Sequence, residues 1–130
     1  MTCSSQTLDT IRLAALAAVD KLAGDPVVVD VSERLHLAEA FLITSAPSER
    51  QVRAIAENVM DVLRDSLGLS PERIEGRSDA RWILVDYGDF VVHVLIDEDR
   101  VYYALEKLWG DRPILHLEEE LGATGTRVAV

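Results

Sequence analysis

Trp82-Ile83-Leu84-Val85-Asp86-Tyr87-Gly88-Asp89-Phe90-Val91-Val92-His93-Val94-Leu95-Ile96 reads as two β-strands and the tight turn between them. Both runs are dominated by β-branched and aromatic residues, and Tyr87-Gly88-Asp89 carries a glycine where the chain must reverse. On either side the period changes from that of a strand to that of a helix. Downstream, Asp97-Glu98-Asp99 is read as an acidic cap. From Arg100 to Trp109 the apolar residues Val101, Tyr102, Leu105, Leu108 and Trp109 recur at helical spacing up to Gly110, with Pro113 beyond. Upstream, Ser48-Glu49-Arg50-Gln51 is a capping box that opens a long helix. Its core face is Val52, Ile55, Ala56, Val59, Leu63 and Leu67, and Gly68 ends it before Ser70-Pro71.

Further out, Val27 to Val31 and Phe41 to Thr44 read as buried strands, and Arg73-Ile74-Glu75 as a short one. Leu8, Ile11, Ala15, Val19 and Leu22 mark a first amphipathic helix, with Gly24 expected to supply its left-handed end and Pro26 to block continuation. The predicted fold is α/β: one domain, a mixed β-sheet covered by helices, in the order α-β-β-α-β-β-β-α, with the two longer helices on one face. Residues 1–113 form this unit. Residues 114–130, with Glu118-Glu119-Glu120 and Gly122-Ala123-Thr124-Gly125, are expected to be a mobile acidic tail.

Composition narrows the function. Thirteen Lys plus Arg against 23 Asp plus Glu give a net charge of −10 over 130 residues. Such a chain repels a phosphate backbone, so free nucleic acid is excluded as primary ligand, and a basic protein surface is the favoured partner. No apolar run reaches the about 18 to 20 residues of a membrane span, and the N-terminus resembles neither a secretory nor a transit signal, so a cytoplasmic location is expected. Cys3 is the only cysteine, which excludes an internal disulfide and a multi-thiolate metal site.

The chemistry-bearing residues point away from catalysis. The hydroxyl-rich turn Thr44-Ser45-Ala46-Pro47-Ser48 enters a helix, but it has no glycine-rich loop or lysine to cradle a phosphate, and Ser48 is used as a cap. Asp86 and Asp89 flank a reversing turn, and His36, His93 and His116 lack ligand spacing. No metal and no cofactor is expected. His93 alternates with Val91 and Leu95 on an apolar strand and so needs a hydrogen-bond partner or access to water. It is read as a satisfied core or edge histidine, as a contact on an exposed strand face, or, last, as a general base. Of seven aromatic residues, six (Trp82, Tyr87, Phe90, Tyr102, Tyr103 and Trp109) lie between positions 82 and 109, and only Phe41 lies outside. They either build a core or anchor an interface. Tyr102 and Tyr103 point roughly 100° apart on a helix, so burying both needs a broad surrounding surface; set among Asp86, Asp97, Asp99, Glu106 and Asp111, the rings suit a partner rich in Arg and Lys.

Thr44-Ser45-Ala46-Pro47-Ser48-Glu49-Arg50-Gln51-Val52, Glu75-Gly76, Trp82 to Asp89, Val92-His93-Val94 and Arg100 to Trp109, in this order and spacing, resemble the ribosomal silencing factor family, also called Iojap-like proteins, over about residues 7 to 113. Leu95 and Ile96 depart from a frequent aromatic of the family, and Ala46-Pro47 makes a stiffer turn entry. The resemblance implies a nucleotidyltransferase-like fold without established catalysis. It also implies a translational repressor that binds the large ribosomal subunit through its fourteenth ribosomal protein, keeps the small subunit from joining, and lowers translation when nutrients are scarce. Carried onto matching positions, the implied docking residues are Trp82, Asp86, His93, Tyr102, Tyr103, Glu106 and Trp109. Two other readings stand beside it. One is a metal-dependent nucleotidyltransferase or nucleotide-binding enzyme using Asp86, Asp89 and the Ser45 to Ser48 turn; the other is a homodimer packed through Tyr102, Tyr103 and Trp109.

Overall fold

The computed structural model describes residues 4–32 and 38–104, and the backbone of 114–116. Helix α1 (Ser5–Val19) starts at Ser4, whose hydroxyl oxygen accepts the Thr7 amide at 3.2 Å. The helix is shorter than its apolar spacing suggests. Leu22, expected in the core, is 61% exposed and itself takes the left-handed conformation (φ 68°), while the Ala23 amide closes back on the Ala18 carbonyl at 3.1 Å. Gly24 is therefore not the helix end. It is the first residue of β1 (Gly24–Asp30) and lies opposite Ser45.

Strand β1 pairs antiparallel with β2 (Ala40–Ala46), and the register slips between Gly24 and Val27. Pro26, which has no amide to give, sits in that irregular step. Helix α2 (Glu49–Leu67) is capped by Ser48, which accepts the Gln51 amide at 3.2 Å. The return half of the expected box differs: the Ser48 hydroxyl donates to the Gln51 side-chain oxygen. Gly68 (φ 69°) ends α2 with its amide on Arg64 and that of Leu69 on Leu63, a paired closure that needs a left-handed residue. Val52, Ile55, Ala56, Val59 and Leu63 are buried as expected, whereas Leu67, in the last turn, is half exposed.

Strands β3 (Arg73–Glu75), β4 (Trp82–Asp86) and β5 (Phe90–Ile96) follow, and β5 runs directly into α3 (Asp97–Tyr103). A last strand, β6 (Ile114–His116), pairs antiparallel with β1, so the sheet order is β3-β4-β5-β2-β1-β6. Among the described strands only β2 and β5, at the centre, are parallel; they are the near-continuous apolar runs such a position requires. The mixed α/β class and element order stand as predicted. Two boundaries do not. β6 opens the stretch assigned to the tail, and α3 begins at Asp97 and ends at Tyr103 with Ala104 left-handed (φ 46°), while residues 105–110, over which the helix was expected to run on to Gly110, lie outside the described residues.

Each strand alternates between two faces. Val28, Leu42, Ile83, Val85, Val92 and Val94 meet α1 and α2 in one continuous core, within which the Asn58 side-chain amide of α2 donates to the Ala17 carbonyl of α1 at 2.8 Å. The opposite face carries Val27, Val29, Ile43 and Leu95, with Phe41 and Trp82 packed against them. His93 lies on this second face, opposite Leu84 on β4 and Ile43 on β2.

Candidate functional site: an aromatic ridge

The second face rises into a chain of touching rings. Phe41 of β2 meets His93 edge-on at 4.6 Å between centroids. His93 lies 6.0 Å from Trp82, Trp82 lies 5.1 Å from Tyr103, and Tyr103 meets Tyr102 edge-on at 4.9 Å. The chain runs from buried to open: His93 is 5% exposed, Trp82 partly buried, Tyr103 48% and Tyr102 80% exposed, with Val101 beside them at 81%.

Two registers build it. Trp82 stands opposite Leu95 and Leu84 opposite His93, so indole and imidazole are diagonal neighbours across the β4–β5 pair. The indole N–H donates to His93 Nδ1 at 3.1 Å, which puts the imidazole proton on Nε2. That Nε2–H is buried without a partner. Burial pushes the imidazole down from the usual 6.5 to about 4, only partly offset by the charge of Asp86, so His93 is neutral at physiological pH.

Helix α3 has only two turns and does not hold its shape by helix propensity alone. Two arginines fix it. Arg81, in the loop before β4, reaches Asp99 at 2.8 Å and Glu98 at 3.1 Å, and Glu49 of α2 at 3.7 Å. Buried Arg100 donates to the Gly24 carbonyl at 3.1 Å and to the Ser45 hydroxyl at 3.2 Å, and pairs with Asp25 at 3.6 Å. The acids that open α3 thus serve less as caps, a position taken by Ile96 with no side-chain bond, than as the Arg81 clasp.

Of the residues singled out from the sequence, Trp82, His93, Tyr103 and Tyr102 are brought together. Asp86 shares their face, but its carboxylate accepts the Gly88 amide at 2.8 Å and lies 3.7 Å from Arg73, so it closes the hairpin turn. His93 is buried, a satisfied neighbour of Trp82 on one nitrogen rather than a surface contact. Glu106 and Trp109, like His36 and Cys3, lie outside the described residues. Arg81, Arg100 and the part played by Phe41 were not identified from sequence. Tyr87 belongs elsewhere: it stacks on Phe90 at 5.0 Å, and burial pushes its phenol up to about 12. Among the described residues there is no group of three His, Cys, Asp or Glu side chains fit to hold a metal, and no helix is long and apolar enough to cross a membrane.

Fold and ridge define a small mixed-sheet α/β domain with one helix-covered face and one face bearing an accessible aromatic surface. The family model described as "Ribosomal silencing factor during starvation" matches residues 4–128. The ribosomal silencing factor RsfS of Bacillus subtilis is 44% identical over 108 residues, 83% of this chain and 91% of that protein. A crystal structure of a Chromobacterium violaceum protein superposes with a TM-score of 0.75 at 35% identity, covering 79% of this chain and 85% of that one. The mouse protein named "Mitochondrial assembly of ribosomal large subunit protein 1" is 32% identical over 89 residues, 67% of this chain and 39% of that protein. The chain belongs to the ribosomal silencing factor family and has a role in translation regulation; the family is named for a regulatory protein, not for an enzymatic activity.

Proposed function

We propose that the ridge of Trp82, Tyr103 and Tyr102 docks on the large ribosomal subunit, through its fourteenth ribosomal protein, and that the docked body overlaps the volume the small subunit needs for joining. The observation that carries this reading is the exposure of Tyr102 (80%) and Val101 (81%) at the end of a helix pinned in place, in continuity with a partly buried tryptophan. Large rings left open beside acids are the chemistry of an anchor for a basic protein surface. The net charge of −10 favours approach to such a surface and disfavours ribosomal RNA. Family membership and the mouse relative's printed name both support a ribosomal partner.

Blocking follows from exclusion. Two bodies cannot occupy one interface, so the factor and the small subunit compete by mass action, and at ~100 times its dissociation constant the factor opposes joining by about 2.7 kcal/mol. The test is direct: purified large subunits are incubated with the protein, small subunits are added, and joining is followed by sedimentation. Joining is expected to fall as protein is raised, and undiminished joining at saturation refutes the reading. Sedimentation of the free protein reads out the other occupant of the ridge, a second copy of the chain. A dimer that binds large subunits without dissociating separates the two surfaces.

A further inference from the structure

We infer that His93 is a positioning residue: it holds the Trp82 indole, and through it the Tyr103 ring, in the orientation the ridge presents to its partner. The inference rests on the docking reading above and adds to it the device that keeps the anchor rigid. Strand β5 is buried along its whole length and, apart from His93, is apolar. A leucine at this position fills the space without leaving an N–H unpartnered, and burying an unpaired donor is unfavourable. The imidazole provides what no aliphatic side chain can, an acceptor on Nδ1 facing an indole N–H that is itself only a donor.

The geometry supplies the lever. The Trp82 ring is in contact with Tyr103 at 5.1 Å, and Tyr103 with Tyr102 at 4.9 Å, so the indole rotamer decides where the two exposed rings stand. Turning the indole over about its side-chain axis breaks the bond to Nδ1 and withdraws its edge from Tyr103. With the acceptor in place the ridge meets its partner already ordered. Without it, the ordering of several rings falls on the binding step. His93 reaches no partner itself, because it is 5% exposed. It acts through Trp82.

Two substitutions separate this role from packing. His93→Leu removes the acceptor and the unpartnered donor together, while His93→Asn puts a side-chain oxygen close to the place of Nδ1. The protein has two tryptophans, so the Trp82 indole signal in a proton–nitrogen correlation spectrum is assigned by its loss in Trp82→Phe. In His93→Leu that signal is expected to move upfield and exchange faster with solvent. The dissociation constant for purified large subunits is expected to rise about tenfold, with the unfolding midpoint kept or raised. His93→Asn is expected to restore the indole signal and most of the affinity.

An unmoved indole signal in His93→Leu, equal weakening in both variants, or a freed indole with undiminished affinity each overturns the inference. Should His93→Leu not fold, His93→Phe keeps a ring, lacks the acceptor and serves in its place. Wild-type protein that shows the bonded indole yet never binds large subunits overturns the docking reading and the docking half of this inference, while the spectrum still decides whether His93 holds Trp82.

Discussion

Tyr102→Ala isolates docking from folding, because the side chain is 80% exposed and its one ring contact among the described residues is an edge-on approach to Tyr103. A tyrosine of about 200 Å² that is four-fifths open leaves ~160 Å² for a partner to cover. At about 25 cal/mol per Å² that area gives ~4 kcal/mol, and ordering the ring takes back about 1 kcal/mol, so ~3 kcal/mol is the ceiling. A residue acting as an anchor is expected to lose at least about 2 kcal/mol on truncation, which puts the rise in dissociation constant between roughly 30-fold and 150-fold. Stability is expected to change by no more than about 0.5 kcal/mol, as for a surface substitution that breaks no cap or core contact. The assay is titration of labelled protein with purified large subunits, preceded by circular dichroism and thermal unfolding of the variant. Affinity within threefold of wild type, in a variant with an unchanged melt, refutes the placement of the interface at the end of α3.

Three further outcomes test other parts of the structure. A methyl group at Gly76 (φ 85°) would sit 2.0 Å from the Trp82 carbonyl oxygen, so Gly76→Ala is expected to cost about 2 kcal/mol or more in urea unfolding and to disturb the Trp82 indole signal. Stability is expected to fall with acid through His93, whose folded pKa, about 4, lies below its ordinary 6.5. Above 6.5 neither state binds the proton and the contribution is complete; between 6.5 and 4 the unfolded chain binds it and the folded protein does not, so stability is lost as pH falls, by up to about 3 kcal/mol. Unfolding of wild type and His93→Leu at a series of pH values checks this: wild type is expected to lose stability relative to the variant as pH falls from 6.5 to 4, and a relative gain over that range refutes the sign. Arg81→Gln leaves its three acids on α2 and α3 unclasped; because the pairs are exposed the loss of stability is expected to stay below about 1 kcal/mol, while large-subunit affinity drops because α3 no longer holds the tyrosines in place.

What was readable in advance follows from the range of the forces involved. The α2 helix, its Ser48 start and Gly68 stop, and the β4–β5 hairpin depend on residues a few positions apart, and local periodicity, capping and turn chemistry suffice for them. The aromatic concentration between 82 and 109 was likewise visible as composition. The pairing of β2 with β5 was not, since its partners lie about fifty positions apart in the chain and both strands are buried on both faces with no polar–apolar alternation, which leaves their register unmarked. The contact of Phe41 with His93 depends on that register. Helix ends misled where tertiary structure overrode a local signal: Leu22 gives up its place on the apolar stripe so that Ala23 enters the core and Gly24 meets Ser45. Nothing local in the sequence marks Arg81 or Arg100, because the acids and carbonyls they meet are brought to them only by the fold.

The placement of α3 explains why one end of this sheet, among the described residues, leaves tyrosine rings open to solvent. Strand β5 is central, paired on both sides, and passes into α3 without a loop, Ile96 being both the last strand residue and the helix cap. A helix joined this way inherits the direction of the most constrained strand in the molecule. Its remaining freedom, rotation and tilt about that junction, is removed from two sides: by Arg81 from the β4 entry, and by Arg100 reaching back to Gly24 and Ser45 on the β1–β2 edge. Short and intrinsically unstable, α3 is ordered only because the sheet is formed, so the tyrosines come into position when folding is complete and not before. A ridge built in this way is open enough to bind and too constrained to rearrange, which is the combination that lets exposed aromatic area become affinity instead of being spent on ordering.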